Sequence, residues 1–159
     1  MTARTFLFAI LALLGTLSQV VAGDLVAEIR DQSRYYGVGW QNDGNHWSIE
    51  LLIQGQGAQI AYPSIGCAGK WTLQGTYSAE LNYTEQILDG TEDCINLGSV
   101  RLEPLPDGRL LYVWMERAPT VDAKAVLVPL AGKRMSYMEL LKLTIDTVSF
   151  DYVLPEFRQ

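Results

Sequence analysis

Residues 35–54 read YYGVGWQNDGNHWSIELLIQ, two short apolar runs on either side of a polar turn. The second run, 46–54, has large apolar side chains at every other position: Trp47, Ile49, Leu51 and Ile53. Because successive side chains of a strand point to opposite faces, this alternation predicts a β-strand with one buried face. The Asn-Asp-Gly-Asn sequence at 42–45 is typical of a tight turn. The stretch therefore predicts an antiparallel hairpin.

The same pattern of short runs between turn residues continues through most of the chain. We identify eight candidate strands, at residues 35–41, 46–54, 58–62, 70–77, 80–88, 97–105, 109–117 and 123–130. Short loops between consecutive runs favour an all-β, antiparallel, up-and-down meander. Closing the meander into a barrel would remove exposed sheet edges, whereas two packed sheets would form a sandwich. The sequence predicts the strand order and leaves barrel and sandwich both open.

The tail from residue 131 onward has a different pattern. Ser136 and Glu139 have the spacing of a capping box, with Ser136 as the helix N-cap. A helix of about 12 residues is therefore expected to follow. Thr144, Thr147 and Val148 are β-branched and weaken this helix, so a strand is the alternative.

The first 22 residues have the three parts of a secretion signal. Arg4 supplies the positive start, residues 5–17 form an apolar run, and Val20-Val21-Ala22 has the small or short side chains of a cleavage site. The apolar run has 13 residues, whereas a helix needs roughly 20 to span a bilayer, so cleavage is expected rather than anchoring. The predicted organisation is a signal peptide at 1–22 and a single β domain at 23–159, with its core at 35–130 and a helical tail at 131–159. The expected location is the periplasm or the outside of the cell, with no stable membrane span after cleavage.

Composition argues against several classes of function. The chain carries 18 Asp and Glu against 12 Lys and Arg, a net charge of −6. A negative chain repels phosphate backbones, so no nucleic-acid partner is expected. His46 is the only histidine, and the sequence has no Gly-x-Ser-x-Gly motif, so neither a metal site, a cofactor nor nucleophilic catalysis is expected. The sequence therefore favours a protein that is not an enzyme.

Cys67 and Cys94 are the only cysteines. An even pair in an exported domain predicts a disulfide, with two free thiols as the alternative. In a meander, the turn that contains Cys67 and the turn that contains Cys94 lie at the same end of the sheet. A bridge is therefore reasonable if the two Cα atoms come within roughly 7 Å.

Glu85 is a carboxylate that the alternation places inside the domain. It shares one strand face with the apolar side chains Leu81, Tyr83 and Ile87. The same rule directs four nearby basic residues outward: Lys70, Arg101, Arg109 and Lys124. Burying a carboxylate away from cations costs several kcal/mol unless it is hydrogen-bonded or protonated. We therefore expect tyrosine or tryptophan partners for Glu85. If its role is structural, Glu85→Gln is expected to be nearly neutral or stabilising.

Two roles remain open for Glu85. It is either a structural carboxylate satisfied by tyrosine, or the polar anchor of an aromatic-lined pocket. Aromatic residues at alternating positions of neighbouring runs are predicted to face inward with it, either as plain core or as pocket walls. The candidate ligand-binding residues are Glu85, Tyr62, Trp71, Tyr83, Tyr112 and Trp114.

Several short motifs of this chain together resemble the pattern of a known kind of domain. They are YPSIGCAGKW at 62–71, YTEQI at 83–87, Cys94 with Gly98, and LYVW at 111–114. This pattern resembles a small β-domain of exported bacterial proteins, which is also appended after the kinase domain in some bacterial serine/threonine kinases. The resemblance covers about residues 35–130 and has Cys67 and Cys94 in the matching positions. It implies an accessory domain outside the membrane and brings no activity with it.

Three functions follow as expectations. The first is a secreted or periplasmic binding or accessory domain that recognises a small molecule, a glycan or a protein. The second is an enzyme inhibitor or immunity-type protein that blocks its target through an exposed loop. The third is a hydrolase that uses two carboxylates. An interior cavity beside Glu85 would favour the first, a filled barrel with an acidic loop the second, and two carboxyl groups across a cleft the third.

Overall fold

The computed structural model describes residues 29, 33–41, 43–77, 79–117, 120, 122–131 and 134–148. Eight antiparallel strands follow one another around a barrel: β1 Arg34–Gln41, β2 His46–Gln54, β3 Gly57–Tyr62, β4 Cys67–Tyr77, β5 Glu80–Asp89, β6 Ser99–Pro104, β7 Leu110–Met115 and β8 Ala123–Pro129. Each strand pairs with the next, and β8 pairs back to β1, which closes the sheet. The predicted meander is therefore confirmed, and it forms a barrel rather than a sandwich. The predicted signal peptide at 1–22 lies outside the described residues.

The largest difference from the predicted strands is at the start of β4. This strand begins at Cys67 rather than at Lys70, although Gly66 and Gly69 suggest a loop there. Gly69 lies at an irregularity in the β4–β5 ladder, where a Cβ atom would be only 2.2 Å from the backbone oxygen of Gln86. The glycine therefore permits a close strand approach instead of ending the strand.

The barrel interior holds one apolar cluster to which every strand contributes. Trp71, Tyr83 and Tyr112 are its largest fully buried aromatic side chains. Ile29, which precedes β1, packs into the same cluster. The inward orientation that alternation predicted for the aromatic residues is confirmed.

The disulfide joins the start of β4 to a loop at one end of the barrel. Cys67 follows a short 3-10 turn, Pro63–Ile65, and its Cα atom lies 6.5 Å from that of Cys94. Cys94 lies in the β5–β6 connection, so the predicted disulfide is confirmed, although Cys67 is the first residue of β4 and not part of the β3–β4 turn. We call this the disulfide end of the barrel; the connections β1–β2, β3–β4, β5–β6 and β7–β8 all lie there.

A helix, α1 (Tyr137–Thr147), follows the barrel and packs on the outside of β1 and β8. Its N-terminus has the predicted capping box: the Ser136 hydroxyl accepts from the Glu139 N–H at 3.4 Å, and the Glu139 carboxylate accepts from the Ser136 N–H at 2.7 Å. The helix prediction is confirmed. In the described part of the chain, no helix has the length and apolar character needed to cross a membrane.

Thr144 of α1 lies in the seam where the barrel closes. β1 and β8 pair at both ends of their contact but not across its middle. There, the Thr144 hydroxyl donates to the backbone oxygen of Val38 at 3.1 Å and accepts from the N–H of Val126 at 3.0 Å. The threonine that weakens the helix by propensity therefore bridges β1 and β8 where their ladder pairing is interrupted.

The basic residues that were predicted to point outward have different surroundings. Lys70 is exposed, but Arg101 and Lys124 are buried on the outer face of the barrel. Arg101 forms an ion pair with Glu80 at 3.0 Å, with both side chains nearly covered. Arg109 pairs with Asp107 in the β6–β7 turn, where this contact holds the pKa of the Asp107 carboxyl below its usual value. An outward direction therefore does not mean exposure here.

Candidate functional site

A pocket of about 340 Å³ opens at the disulfide end of the barrel. Its inner surface is formed mainly by side chains that point into the barrel: Trp47, Tyr62, Glu85, Ile87, Tyr112 and Trp114. Its rim is formed by the loops of that end and their flanks: Gln41, Asn45, His46, Ile65, Asp93, Cys94 and Ile95. The volume falls in the range of small-molecule sites.

Glu85 lies at the centre of the hydrogen bonding in this pocket. One carboxylate oxygen, Oε1, accepts from the Tyr62 hydroxyl at 2.5 Å and from the Trp71 indole N–H at 2.9 Å. The other oxygen, Oε2, accepts from the Trp114 indole N–H at 2.8 Å. Glu85 is only 2% exposed. The predicted burial and the predicted tyrosine and tryptophan partners are confirmed.

Strand pairing brings these donors to Glu85 from three other strands. Trp71 of β4 lies directly opposite Glu85 of β5 in the ladder. Trp114 of β7 reaches across Gly98, where a Cβ atom would lie 2.4 Å from the indole nitrogen. The backbone oxygen of Gly98 also accepts from the Glu85 N–H at 2.8 Å. Gly98 therefore fixes the Glu85 backbone and leaves space for the Trp114 ring that binds its side chain.

Two of the six candidate residues lie behind the pocket surface. Trp71 stacks on Tyr112, with ring centroids 5.8 Å apart and planes 15° apart. Tyr83 packs on Trp71 at 5.7 Å. Neither Trp71 nor Tyr83 lines the pocket, whereas Tyr62, Glu85, Tyr112 and Trp114 do. The first two support the residues that a ligand would touch.

The two pocket tyrosines form a chain toward the carboxylate. Their hydroxyl oxygens are 3.3 Å apart, and Tyr62 donates to Glu85, so Tyr112 donates to Tyr62. Burial raises the pKa of Tyr62 well above its usual value, and Tyr112 and Glu85 raise it further. Burial, followed by the effect of Glu85, also raises the pKa of Tyr112. Both phenols therefore stay protonated and keep this direction of hydrogen bonding.

Trp47 is a pocket residue that the candidate set did not include. Its ring meets Tyr62 edge-on, with centroids 6.4 Å apart. Its indole nitrogen is buried and has no hydrogen-bond partner among the described residues. Strand alternation already placed Trp47 inward, so the signal was present. Only the positions of the loops show that Trp47, unlike many other inward residues, lines the pocket.

The rim is attached to the helix through His46. Its Nδ1 lies 2.6 Å from the Tyr137 hydroxyl at the first residue of α1, and the two rings are 5.6 Å apart. Partial burial raises the pKa of Tyr137. His46 is exposed and lies at the pocket rim.

Apolar side chains stand exposed around the rim. Ile65 is 42% exposed, Ile95 52% and Leu97 68%. Leu97 has a φ of 65°, an unusual value for a residue with a side chain. The Asn96 side chain accepts from the N–H groups of Ile87 and Leu97, both at 2.9 Å, which holds this loop against β5.

A second depression, of about 800 Å³, is lined by residues of β1 to β5 together with Leu130 and Arg134. Every charged side chain that lines it is exposed: Arg34, Glu50, Lys70, Asp89 and Arg134. Among the residues that the structure describes, no group of three or more His, Cys, Asp or Glu side chains could hold a metal ion. The pocket beside Glu85 is therefore the stronger candidate site, because its polar groups are buried and oriented.

Comparison with protein-family models, with curated proteins and with solved structures finds no match to this chain. The function is therefore inferred from the chemistry of the pocket. That chemistry consists of a buried carboxylate, aromatic walls, and a rim of loops tied together by a disulfide.

Proposed function

We propose that this protein is an extracytoplasmic binding domain that takes a small organic group into the pocket beside Glu85. The observation that carries the proposal is a buried carboxylate that lines an open, aromatic-walled cavity inside a closed barrel. Eight-stranded barrels have interiors that can hold one small ligand. Apolar walls with a few oriented polar groups are the usual composition of such sites.

The preformed shape of the pocket supports this proposal. The Glu85 carboxylate is fixed by three hydrogen bonds, and one of its donors, Trp71, is itself stacked on Tyr112. The Cys67–Cys94 bridge joins the first residue of β4 to the β5–β6 connection at the disulfide end. Binding to a site that is already ordered avoids the entropic cost of ordering it, so even a small ligand can bind usefully.

The location outside the cytoplasm is part of the same proposal. Disulfides persist in oxidising compartments and are rare in the cytosol. The Cys67–Cys94 bridge fits such a compartment, as does the secretion signal predicted at residues 1–22.

A carboxylate-based hydrolase is the second candidate, because Asp93 lies at the pocket rim. Such an enzyme needs one carboxyl group that donates a proton and another that acts as base or nucleophile. The Glu85 carboxylate is the acceptor in all three of its hydrogen bonds, and Asp93 is exposed. This arrangement suits holding a ligand better than donating a proton.

A fragment screen followed by NMR of the indole N–H signals tests the binding proposal. The chain has four tryptophans, and Trp47 and Trp114 line the pocket while Trp40 packs outside the barrel. Binding fragments are expected to shift the signals of Trp47 and Trp114 and leave that of Trp40 unchanged. A screen in which no fragment shifts either pocket tryptophan would contradict the proposal.

A further inference from the structure

We infer that the ligand group that reaches Glu85 is a protonated amine carried on an apolar body. This inference rests on the proposed function and names its ligand class. It follows from what surrounds the Glu85 carboxylate, from the pocket walls, and from the acceptor position that is still open.

The Glu85 carboxylate is compensated by neutral donors alone. Its partners are one hydroxyl and two indole N–H groups. The ion pairs found among the described residues lie elsewhere on the barrel and helix, and none involves Glu85. A buried carboxylate without a cation attracts one, because Coulomb interactions are strong where water is excluded. A cationic ligand would complete the site.

The pocket walls favour a cation as well. Tyr62, Tyr112, Trp47 and Trp114 all line the pocket. Aromatic faces attract ammonium groups through their electron-rich π-systems, and clusters of them recognise such ions in other proteins. Asp93 adds negative charge at the rim, and no Lys or Arg is among the lining residues described. An anionic ligand would therefore be repelled at both the rim and the floor.

The remaining acceptor position distinguishes an amine from a guanidinium. A carboxylate offers about four acceptor positions, and three are used by protein donors. Oε1 accepts two hydrogen bonds and Oε2 accepts one, so a single position on Oε2 remains. A guanidinium binds a carboxylate best through both oxygens at once. An ammonium group can bind through one carboxylate oxygen alone, so it fits the open acceptor position on Oε2.

The rim indicates the rest of the ligand. Ile65 and Ile95 line the mouth and are largely exposed, while Gln41 and Asn45 offer amide groups beside them. An apolar chain or ring next to the amine would cover the two isoleucines. The amine can belong to a free small molecule or to a lysine side chain of another protein, since both present the same group.

A series of matched probes tests the inference on the oxidised, unaltered chain. The probes are 2-phenylethylamine, 2-phenylethanol, 3-phenylpropanoate and 2-phenylethylguanidine, titrated at neutral pH while the indole N–H signals are recorded. The amine is expected to bind at least tenfold more tightly than the alcohol and the guanidine, and the carboxylate is expected not to bind. Nα-acetyl-lysine methylamide tests the protein-borne source: if it binds as tightly as the amine, a lysine side chain is an equally good source, and weaker binding favours a free amine.

The outcomes separate the two proposals. If the alcohol or the carboxylate shifts Trp47 and Trp114 as readily as the amine, the amine inference is overturned and the binding proposal stands. If no probe of any charge shifts either signal, both are overturned. Glu85→Gln is expected to reduce the tenfold preference to less than threefold, while Glu50→Gln, an exposed carboxylate on the outer face, leaves it unchanged. The series on the unaltered chain gives its result even if Glu85→Gln does not fold.

Discussion

At the scale of single residues, Glu85 is the acceptor that holds several buried donors. Tyr62, Trp71 and Trp114 come from β3, β4 and β7 and meet on its two oxygens. The two indole N–H groups would be left without a partner if the carboxylate were removed, whereas the Tyr62 hydroxyl would keep its contact with Tyr112. A buried donor without an acceptor costs about 1–3 kcal/mol. Glu85 therefore contributes to the stability of the barrel as well as to the pocket.

Glu85→Gln is expected to lower the free energy of unfolding by about 1–3 kcal/mol. Glutamine keeps one acceptor oxygen, but its amide NH₂ must then face an indole N–H, because donors approach both ends of the carboxylate. This geometry revises the nearly neutral effect expected from strand alternation. Urea denaturation measures the change, with Glu50→Gln as the exposed control. Equal stability of Glu85→Gln and the unaltered protein would contradict the expectation.

Gly98→Ala is expected to displace the Trp114 indole and to cost about 1–3 kcal/mol. The new Cβ would lie 2.4 Å from the indole Nε1, so the ring must move and its hydrogen bond to Glu85 is lost. The Trp114 indole N–H signal and the denaturation midpoint measure the effect. Gly75→Ala is the matched control, since no atom lies within 4 Å of its added Cβ. A Gly98→Ala protein with an unmoved Trp114 signal would refute this account.

At the scale of secondary-structure elements, α1 completes the barrel that it packs on. Leu140 and Leu141 bury the apolar face of the helix against the outside of the barrel. Thr144 supplies the hydrogen bonds that β1 and β8 do not make to each other in the middle of their seam. The helix is therefore a structural part of the closure, and the rim residue His46 is attached to its first residue.

Thr144→Val is expected to destabilise the protein by about 1–3 kcal/mol, because valine has a similar shape but no hydroxyl. The Val38 carbonyl and the Val126 N–H would then be buried without partners. Amide hydrogen exchange at Val126 should speed up in this variant. Thr144→Ser keeps the hydroxyl and is the control. Equal stability and equal exchange in the two variants would show that the hydroxyl does not support the seam.

At the scale of the whole molecule, the disulfide end carries both the pocket and the covalent restraint. The Cys67–Cys94 bridge closes a loop with a sequence separation of 27 that includes all of β4 and all of β5. Gly90 adopts a left-handed conformation beside Cys67, with a φ of 74°. The restraint therefore acts directly on the rim of the pocket and on the strand that carries Glu85.

Removing the disulfide is expected to lower stability by about 2–4 kcal/mol. The bridge restricts the unfolded chain, and the rim gains freedom when it is absent. Denaturation of the Cys67→Ala/Cys94→Ala protein, compared with the oxidised protein, measures the loss. Binding of 2-phenylethylamine to the double variant, below its denaturation midpoint, should weaken as well. An unchanged midpoint and unchanged affinity would mean that the bridge restrains neither the fold nor the rim.

The sequence by itself determined the local features of this protein. Alternation with a period of two located the eight strands and placed Glu85 inward, because that period follows from the geometry of a single strand. Turn residues separated the strands, and Ser136 with Glu139 marked the helix start, because caps depend on neighbouring residues alone. The pairing of Cys67 with Cys94 followed because the chain has no other cysteine.

Only the tertiary structure decided the features that depend on distant residues. Barrel closure required β1 to meet β8, and its seam required Thr144, whose partners lie 106 and 18 residues away in sequence. The convergence of three donors on Glu85 depends on how far neighbouring strands are staggered. The same stagger leaves the pocket open beside Trp114 and places Trp71 behind the pocket surface. Strand alternation fixes which way a side chain points, but the packing of the closed barrel fixes what it meets and where a cavity remains.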